Sequence, residues 1–167
     1  MKKMLFTIAT LISCIAAFSQ NIWIGGTPGK ETDWMEARNW SRGVMPGIQD
    51  DVIIPYQWNG YYPKVQRVAP TIGHLQIGPG AQLVIAKTGV LVIDGSYKNN
   101  CGLALDGSLH NEGALVITAT LGPAIEGDMQ KLDNYGICSE ITDEGHVTLA
   151  TTIAFPLEPG NALAKVN

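Results

Sequence analysis

The most restrictive feature of the chain is a short unit that recurs with glycine at its head. Gly73-x-Leu75-x-Ile77 is followed by Ala81-x-Leu83-x-Ile85, where Ala stands for Gly, and by Gly89-x-Leu91-x-Ile93. Gly107-x-Leu109-x-Asn111, Gly113-x-Leu115-x-Ile117 and Gly145-x-Val147-x-Leu149 repeat it. Alternation of this kind sends one row of side chains into a core and the other outward from a strand. Each run is only about three to five residues long. The leading glycine is read as a corner that needs backbone freedom. Units follow one another at 8, 8, 18, 6 and 32 residues, an imperfect repeat. Short strands with glycine corners fit an all-β, short, single-stranded, right-handed β-solenoid, parallel β-helix-like, in which coil stacks on coil and Leu and Ile form ladders. Asn111, at an Ile position, would continue a ladder as an amide or cap a turn. A β-sandwich with tight hairpins is the alternative, since turns every 8–12 residues or so also fit it.

Composition limits the classes of function. Charged residues are 16% and hydrophobic residues 46%, whereas a disordered chain is poorer in apolar residues and richer in charge. The formal charge of −4 argues against a nucleic-acid binder, which carries a concentrated basic face. Residues 1–19 read as a signal peptide: Lys2 and Lys3 form a basic start, Met4 to Phe18 is apolar, and Ala17-Phe18-Ser19 offers small residues for cleavage after Ser19. Leu11-Ile12-Ser13-Cys14 also fits a lipoprotein box loosely, with Cys14 lipidated. Both routes place the protein outside the cytoplasm, secreted or at the cell surface. No stretch reaches the roughly 18 apolar residues of a membrane span. Cys101 and Cys138 would then sit in an oxidising compartment. A disulfide between them would close a 38-residue loop and contribute about 3–4 kcal/mol. Two buried free thiols are the other reading.

The chain changes style near residue 70. Residues 20–70 are aromatic and irregular, and hold Trp23, Trp34, Trp40 and Trp58. They read as a capping segment plus a first strand, Val52-Ile53-Ile54, ended by Pro55. Residues 71–167 read as solenoid repeats, with an acidic, loop-rich excursion near 121–144. Asp33-Trp34-Met35-Glu36 has capping-box spacing and supports one or two helical turns.

Asp33-Trp34, Asn39-Trp40-Ser41, Gly43, Pro46 and Asp50-Asp51-Val52-Ile53-Ile54-Pro55, opened by Trp23-Ile24-Gly25, resemble the N-terminal segment of large secreted surface proteins of Bacteroidetes-type bacteria. The resemblance spans residues 22–117. It implies an adhesin-like role and glycine-rich β-helix-like repeats after the entry motif. Such proteins run to many hundreds of residues and end in a sorting domain. A chain ending at Ala164-Lys165-Val166-Asn167 is then a truncated relative, a fragment or a small stand-alone version. In physical terms the first coil of a solenoid exposes an apolar end that needs a lid. Trp34, Asn39, Trp40, Asp50 and Asp51 are assigned to that cap, with Trp34 and Trp40 as its large buried area and Asn39 and Asp33 bonding turn amides.

Sites of chemistry are sparse. His74, His110 and His146 are 36 residues apart, twice over. Read as two coils, that spacing separates neighbours by about 10 Å, too far to share a zinc ion. They are expected outward and solvated. Asp50, Asp51, Asp94, Asp106 and Glu112 could serve sugar chemistry, as in a degenerate polysaccharide lyase or hydrolase of the parallel β-helix type, but the repeats offer only Lys87 and Lys98 as bases. Adjacent Asp50 and Asp51 point opposite ways on a strand. A calcium-binding loop near Asp50, needing about six to eight oxygens, stays open without support from any motif; no other cofactor is implied. Gly25-Gly26-Thr27-Pro28-Gly29-Lys30 fails as a phosphate loop, having Ile24 where the first Gly belongs and Glu31 for Ser or Thr. No Gly-x-Ser-x-Gly elbow occurs and no Cys/His nucleophile pair stands out. No catalytic residue and no metal ligand is assigned. The best binding candidate is the run 56–63, where Tyr56, Trp58, Tyr61 and Tyr62 could form a glycan platform or close the cap. The expected function is an exported, non-enzymatic structural or adhesive surface module, with a carbohydrate-binding module as the alternative. Its partners would be surface glycans or the rest of a larger surface protein.

Overall fold

The structure, a computed structural model, describes residues 20–98, 101–119, 123–142 and 147–149. Residues 1–19, read above as a signal peptide, with Cys14, and Asp143, Glu144, Gly145 and His146, lie outside the described residues. The strands are β1 (Gln20–Ile22), β2 (Asp51–Ile54), β3 (Lys64–Val65), β4 (His74–Ile77), β5 (Gln82–Ile85), β6 (Val90–Asp94), β7 (Leu103–Leu105), β8 (Ser108–Asn111), β9 (Ala114–Ala119), β10 (Ile125–Gly127), β11 (Leu132–Asn134), β12 (Ile137–Thr142) and β13 (Val147–Leu149). One sheet runs β1-β2-β4-β7-β10, a second β11-β8-β5-β3, a third β13-β12-β9-β6. The last pair, β12 with β13, is antiparallel. The ladders that join one coil to the next are parallel.

Each coil lays one strand on each of three faces, so the chain is a β-solenoid and not a sandwich. Leu75, Leu83 and Leu91 stand in register with Leu103, Leu109 and Leu115 of the next coil. Those in turn meet Ile125, Leu132 and Cys138. From β2 onward the step from one coil to the next is therefore 20 to 28 residues, shortest from Lys64 to Val84 and longest from Leu75 to Leu103. The eight-residue spacing is the step from face to face within a coil. This corrects the two-coil reading of the histidines: His74 is on β4 in the first sheet and His110 on β8 in the second.

The inward rows are as the alternation requires. Leu75, Leu83, Leu91, Leu109 and Leu115, with Ile77, Ile85, Ile93 and Ile117, are at most 1% exposed. Asn111 does both things open to it. Its amide donates to Asn134 Oδ1 at 2.7 Å in the next coil and to Ile137 O at 3.0 Å, and its Oδ1 accepts from Gly113 N at 3.1 Å. A buried amide is tolerated because its polar atoms are partnered.

The glycine heads act differently from the corner reading. Gly89 and Gly113 do not have positive φ. A Cβ on Gly113 would lie 2.3 Å from Gly89 O and 2.4 Å from Ala86 O, and one on Gly89 would lie 2.2 Å from Val65 O. The glycine is required by the backbone of the coil before, which passes too close for any side chain.

The described part of residues 121–144, residues 123–142, is strand-bearing and not a loop-rich excursion. It carries β10, β11 and all of β12, the last coil among the described residues. The acids hide it in the sequence because they fall on exposed positions: Glu126 and Asp133 on strands, Asp128 in a turn. Among the described residues helix is confined to short 3-10 turns, one of them Ala37–Asn39, capped by Glu36.

Candidate functional site

Three of the four tryptophans close one end of the core. Trp23, Trp34 and Trp40 are 0%, 0% and 1% exposed. Trp40 stands edge-on to both neighbours, with ring centroids 4.9 Å from Trp23 and 4.8 Å from Trp34. Its Nε1 donates to Trp34 O at 2.8 Å. Trp34 Nε1 is buried without a hydrogen-bond partner among the described residues. That costs about 1–3 kcal/mol, which the edge-to-face packing and the buried ring area offset. Trp23, which the sequence reading used only as a motif opening, is a full member of this cluster.

Short-range polar contacts hold the cluster's frame. Buried Asn39 donates to Lys30 O at 2.7 Å and Asp33 O at 3.1 Å, and accepts from Thr27 N at 2.9 Å. Asp33 accepts from Met35 N at 2.9 Å. The Asp50 carboxylate accepts from Gly47 N at 2.9 Å and pairs with the Arg42 guanidinium. Calcium at Asp50 would have to displace that guanidinium. Asp51 opens β2, in register with His74.

The loop that follows β2 is tied to the tryptophans. Trp23 Nε1 donates to Tyr61 O at 2.7 Å, and Gln57 Nε2 donates to Trp23 O at 3.0 Å. Gly60, at φ +73°, closes a turn with its N–H on Gln57 O at 3.1 Å, and Asn59 Oδ1 accepts from Tyr61 N at 3.0 Å. On this fixed frame Trp58 is 87% exposed, Tyr56 67% and Tyr61 41%. Tyr62 departs from the platform assignment. Its ring packs against the core, and its hydroxyl donates to Gly80 O and accepts from Gln57 N, both at 3.0 Å. The hydroxyl's bonds to Gly80 and Gln57 hold that ring inward.

The remaining candidates scatter. Cys101 and Cys138 are free thiols, the first on the segment before β7 and the second on β12, and β7 and β12 belong to different sheets. Burial pushes the Cys138 thiol up to about 11. Cys101 Sγ lies 3.9 Å from His74 Nε2, a pairing the sequence did not announce because 27 residues separate them. Burial, and then Glu126, raise the Cys101 pKa, so the thiol keeps its proton at neutral pH and is a poor nucleophile. His110 Nδ1 meets Asp133 at 2.9 Å, and its Nε2 is 3.6 Å from Glu112. Asp94 is held by Ser96 and by Thr118 at 2.8 Å, and hydrogen bonds from Ser96 draw its pKa down. Among the described residues no group of three or more His, Cys, Asp or Glu side chains could hold a metal ion. No described helix is long and apolar enough to cross a membrane.

Fold and site together define a short three-faced β-solenoid with a buried tryptophan cluster at one end and an exposed aromatic loop fastened to it. No family model matches the chain, and no curated protein or solved structure matches it either.

Proposed function

We propose that this protein is an exported, non-catalytic adhesive module that binds carbohydrate through Tyr56, Trp58 and Tyr61. The observation that carries the reading is the contrast among tryptophans: three are buried, while Trp58 stands 87% exposed on a loop held by hydrogen bonds. Leaving a large aromatic in water forgoes about 2–3 kcal/mol of burial, and a rigid exposed ring loses little entropy when a flat apolar partner covers it. The pyranose face is such a partner. Export is supported by the leader-like residues 1–19, and the surface role by the resemblance of residues 22–117 to secreted surface proteins.

The test is a glycan array probed with wild type and Trp58→Ala, each checked by thermal melting. Wild type should retain a defined set of glycans, and the variant should lose at least tenfold in affinity, roughly, with an unchanged melt. Full binding by Trp58→Ala, or no glycan held by wild type, refutes the reading.

A further inference from the structure

We propose that the binding surface continues from Tyr56 along one corner of the solenoid and takes a linear, uncharged oligosaccharide lying parallel to the coil axis. This rests on the carbohydrate-binding reading and assigns its ligand class and direction. The corner is where each coil turns from the first sheet to the second. The aromatic loop between β2 and β3 occupies it in one coil, Gly78 to Ala81 in the next, Asp106 and Gly107 in the third, and Asp128 to Lys131 in the fourth. Paired strands stack about 4.8 Å apart, so these turns form a row that climbs the molecule rather than circling it.

A groove of about 270 Å³ is cut into that row, lined by Pro79, Gly80, Gln82, Asp106, Ser108 and Lys131. Tyr56 joins it to the aromatic loop. A Cβ placed on Gly80 would lie 3.2 Å from Tyr56 Cδ2, so the tyrosine ring rests on bare backbone at the groove's rim. Gln82 and Ser108 are register partners on β5 and β8, and both are exposed. Among the described residues no hydrogen bond engages the side chains of Gln82 and Ser108 or the Asp106 carboxylate. Lys131 is engaged: its Nζ donates to Asp106 O at 2.7 Å and stands 3.9 Å from the Asp128 carboxylate.

The groove therefore offers a free amide, a free hydroxyl and a free carboxylate beside an aromatic ring. Sugar hydroxyls can donate to the carboxylate and accept from the amide. A uronate or sulfate would instead meet Asp106 and Asp128, against a single ammonium that is already paired, and would be repelled. A short sugar covers the aromatic loop alone. A longer chain, laid along the axis, reaches Gln82 and Ser108.

Isothermal titration of the purified protein tests this with cellohexaose, xylohexaose and mannohexaose, their disaccharides, and hexagalacturonate as the anionic probe. At least one neutral hexasaccharide should bind, with its disaccharide about tenfold weaker or more and hexagalacturonate weaker still. The double variant Gln82→Ala/Ser108→Ala should lose about fivefold or more on the hexasaccharide and nothing on the disaccharide. Trp58→Ala should weaken both. If the double variant binds the hexasaccharide like wild type while Trp58→Ala fails, the corner is overturned and the platform stands. Equal affinity for hexasaccharide and disaccharide, or preference for hexagalacturonate, also overturns the corner. Wild-type binding by Trp58→Ala, or no neutral probe bound by wild type, overturns both.

Discussion

Replacing Trp40 with Ala is the sharpest way to separate the buried end of the solenoid from its exposed loop. Trp40 is 1% exposed and stands edge-on to Trp23 and Trp34. Truncating a buried Trp costs about 3–5 kcal/mol through lost transfer energy and the cavity left behind. Two aromatic pairs and the hydrogen bond to Trp34 O are lost with it, which brings the total to about 4–6 kcal/mol. A domain of this size has a net stability of about 5–15 kcal/mol, and each kcal/mol moves its Tm by about 2–4 °C. Trp40→Ala should therefore melt roughly 10–20 °C below wild type. Trp58→Ala changes an exposed side chain and should stay within about 2 °C, a shift of at most about 0.5 kcal/mol. Circular dichroism melts of the three proteins side by side decide the matter. If Trp40→Ala melts with wild type, or Trp58→Ala falls as far as Trp40→Ala, the division of the tryptophans into support and platform is wrong.

Three more perturbations follow from particular contacts. Gly113→Ala drives a methyl into Gly89 O and Ala86 O, both carried by backbone that cannot swing aside, and should cost about 3 kcal/mol or more by chemical denaturation. A wild-type midpoint would show that the coils can spread to admit it. Glu36 is held down to about 2, chiefly by Arg38, from 4.5. A folded value below the unfolded one stabilises above about pH 4.5 and is lost as pH falls toward 2. Melting temperature measured from pH 5 to 2 should thus fall more steeply for wild type than for Glu36→Gln; parallel curves would remove Glu36 as a contributor. Finally, thiol reagent should label Cys101 and Cys138 together only after unfolding without reductant, since Cys138 is buried and both thiols are protonated at neutral pH. A two-dalton mass deficit in the unreduced protein would mean a disulfide instead.

Period-2 alternation is a local property, and the rows it defines were legible residue by residue. Leu75, Ile77, Leu91 and Ile93 had to face one way whatever sheet they joined. Of the strands the repeat did not reveal, β7, β10 and β11 have Cys101, Pro123 and Gln130 at the head of the unit rather than glycine, and β12, headed by Gly136, carries Cys138 and Glu140 where Leu and Ile would stand. At the candidate site, the exposed run 56–61 could be singled out because aromatics crowd a Gly- and Asn-bearing turn. That Tyr62 turns inward could not, since it depends on Gly80, which lies 18 residues later and one coil away.

The sequence alone determined that the chain would bury continuous Leu and Ile ladders behind short glycine-headed strands, because alternation and chain direction are written in neighbouring residues. Tertiary structure alone decided the length of the coil, the pairing of His74 with Cys101, and the corner groove from Gly80 to Lys131. Each depends on which residues of successive coils lie one strand spacing apart. The glycines show the division most clearly. Their positions were visible in the chain, but their cause, a carbonyl of the preceding coil 2.2–2.3 Å from where a Cβ would sit at Gly89 and Gly113, exists only once the coils are stacked.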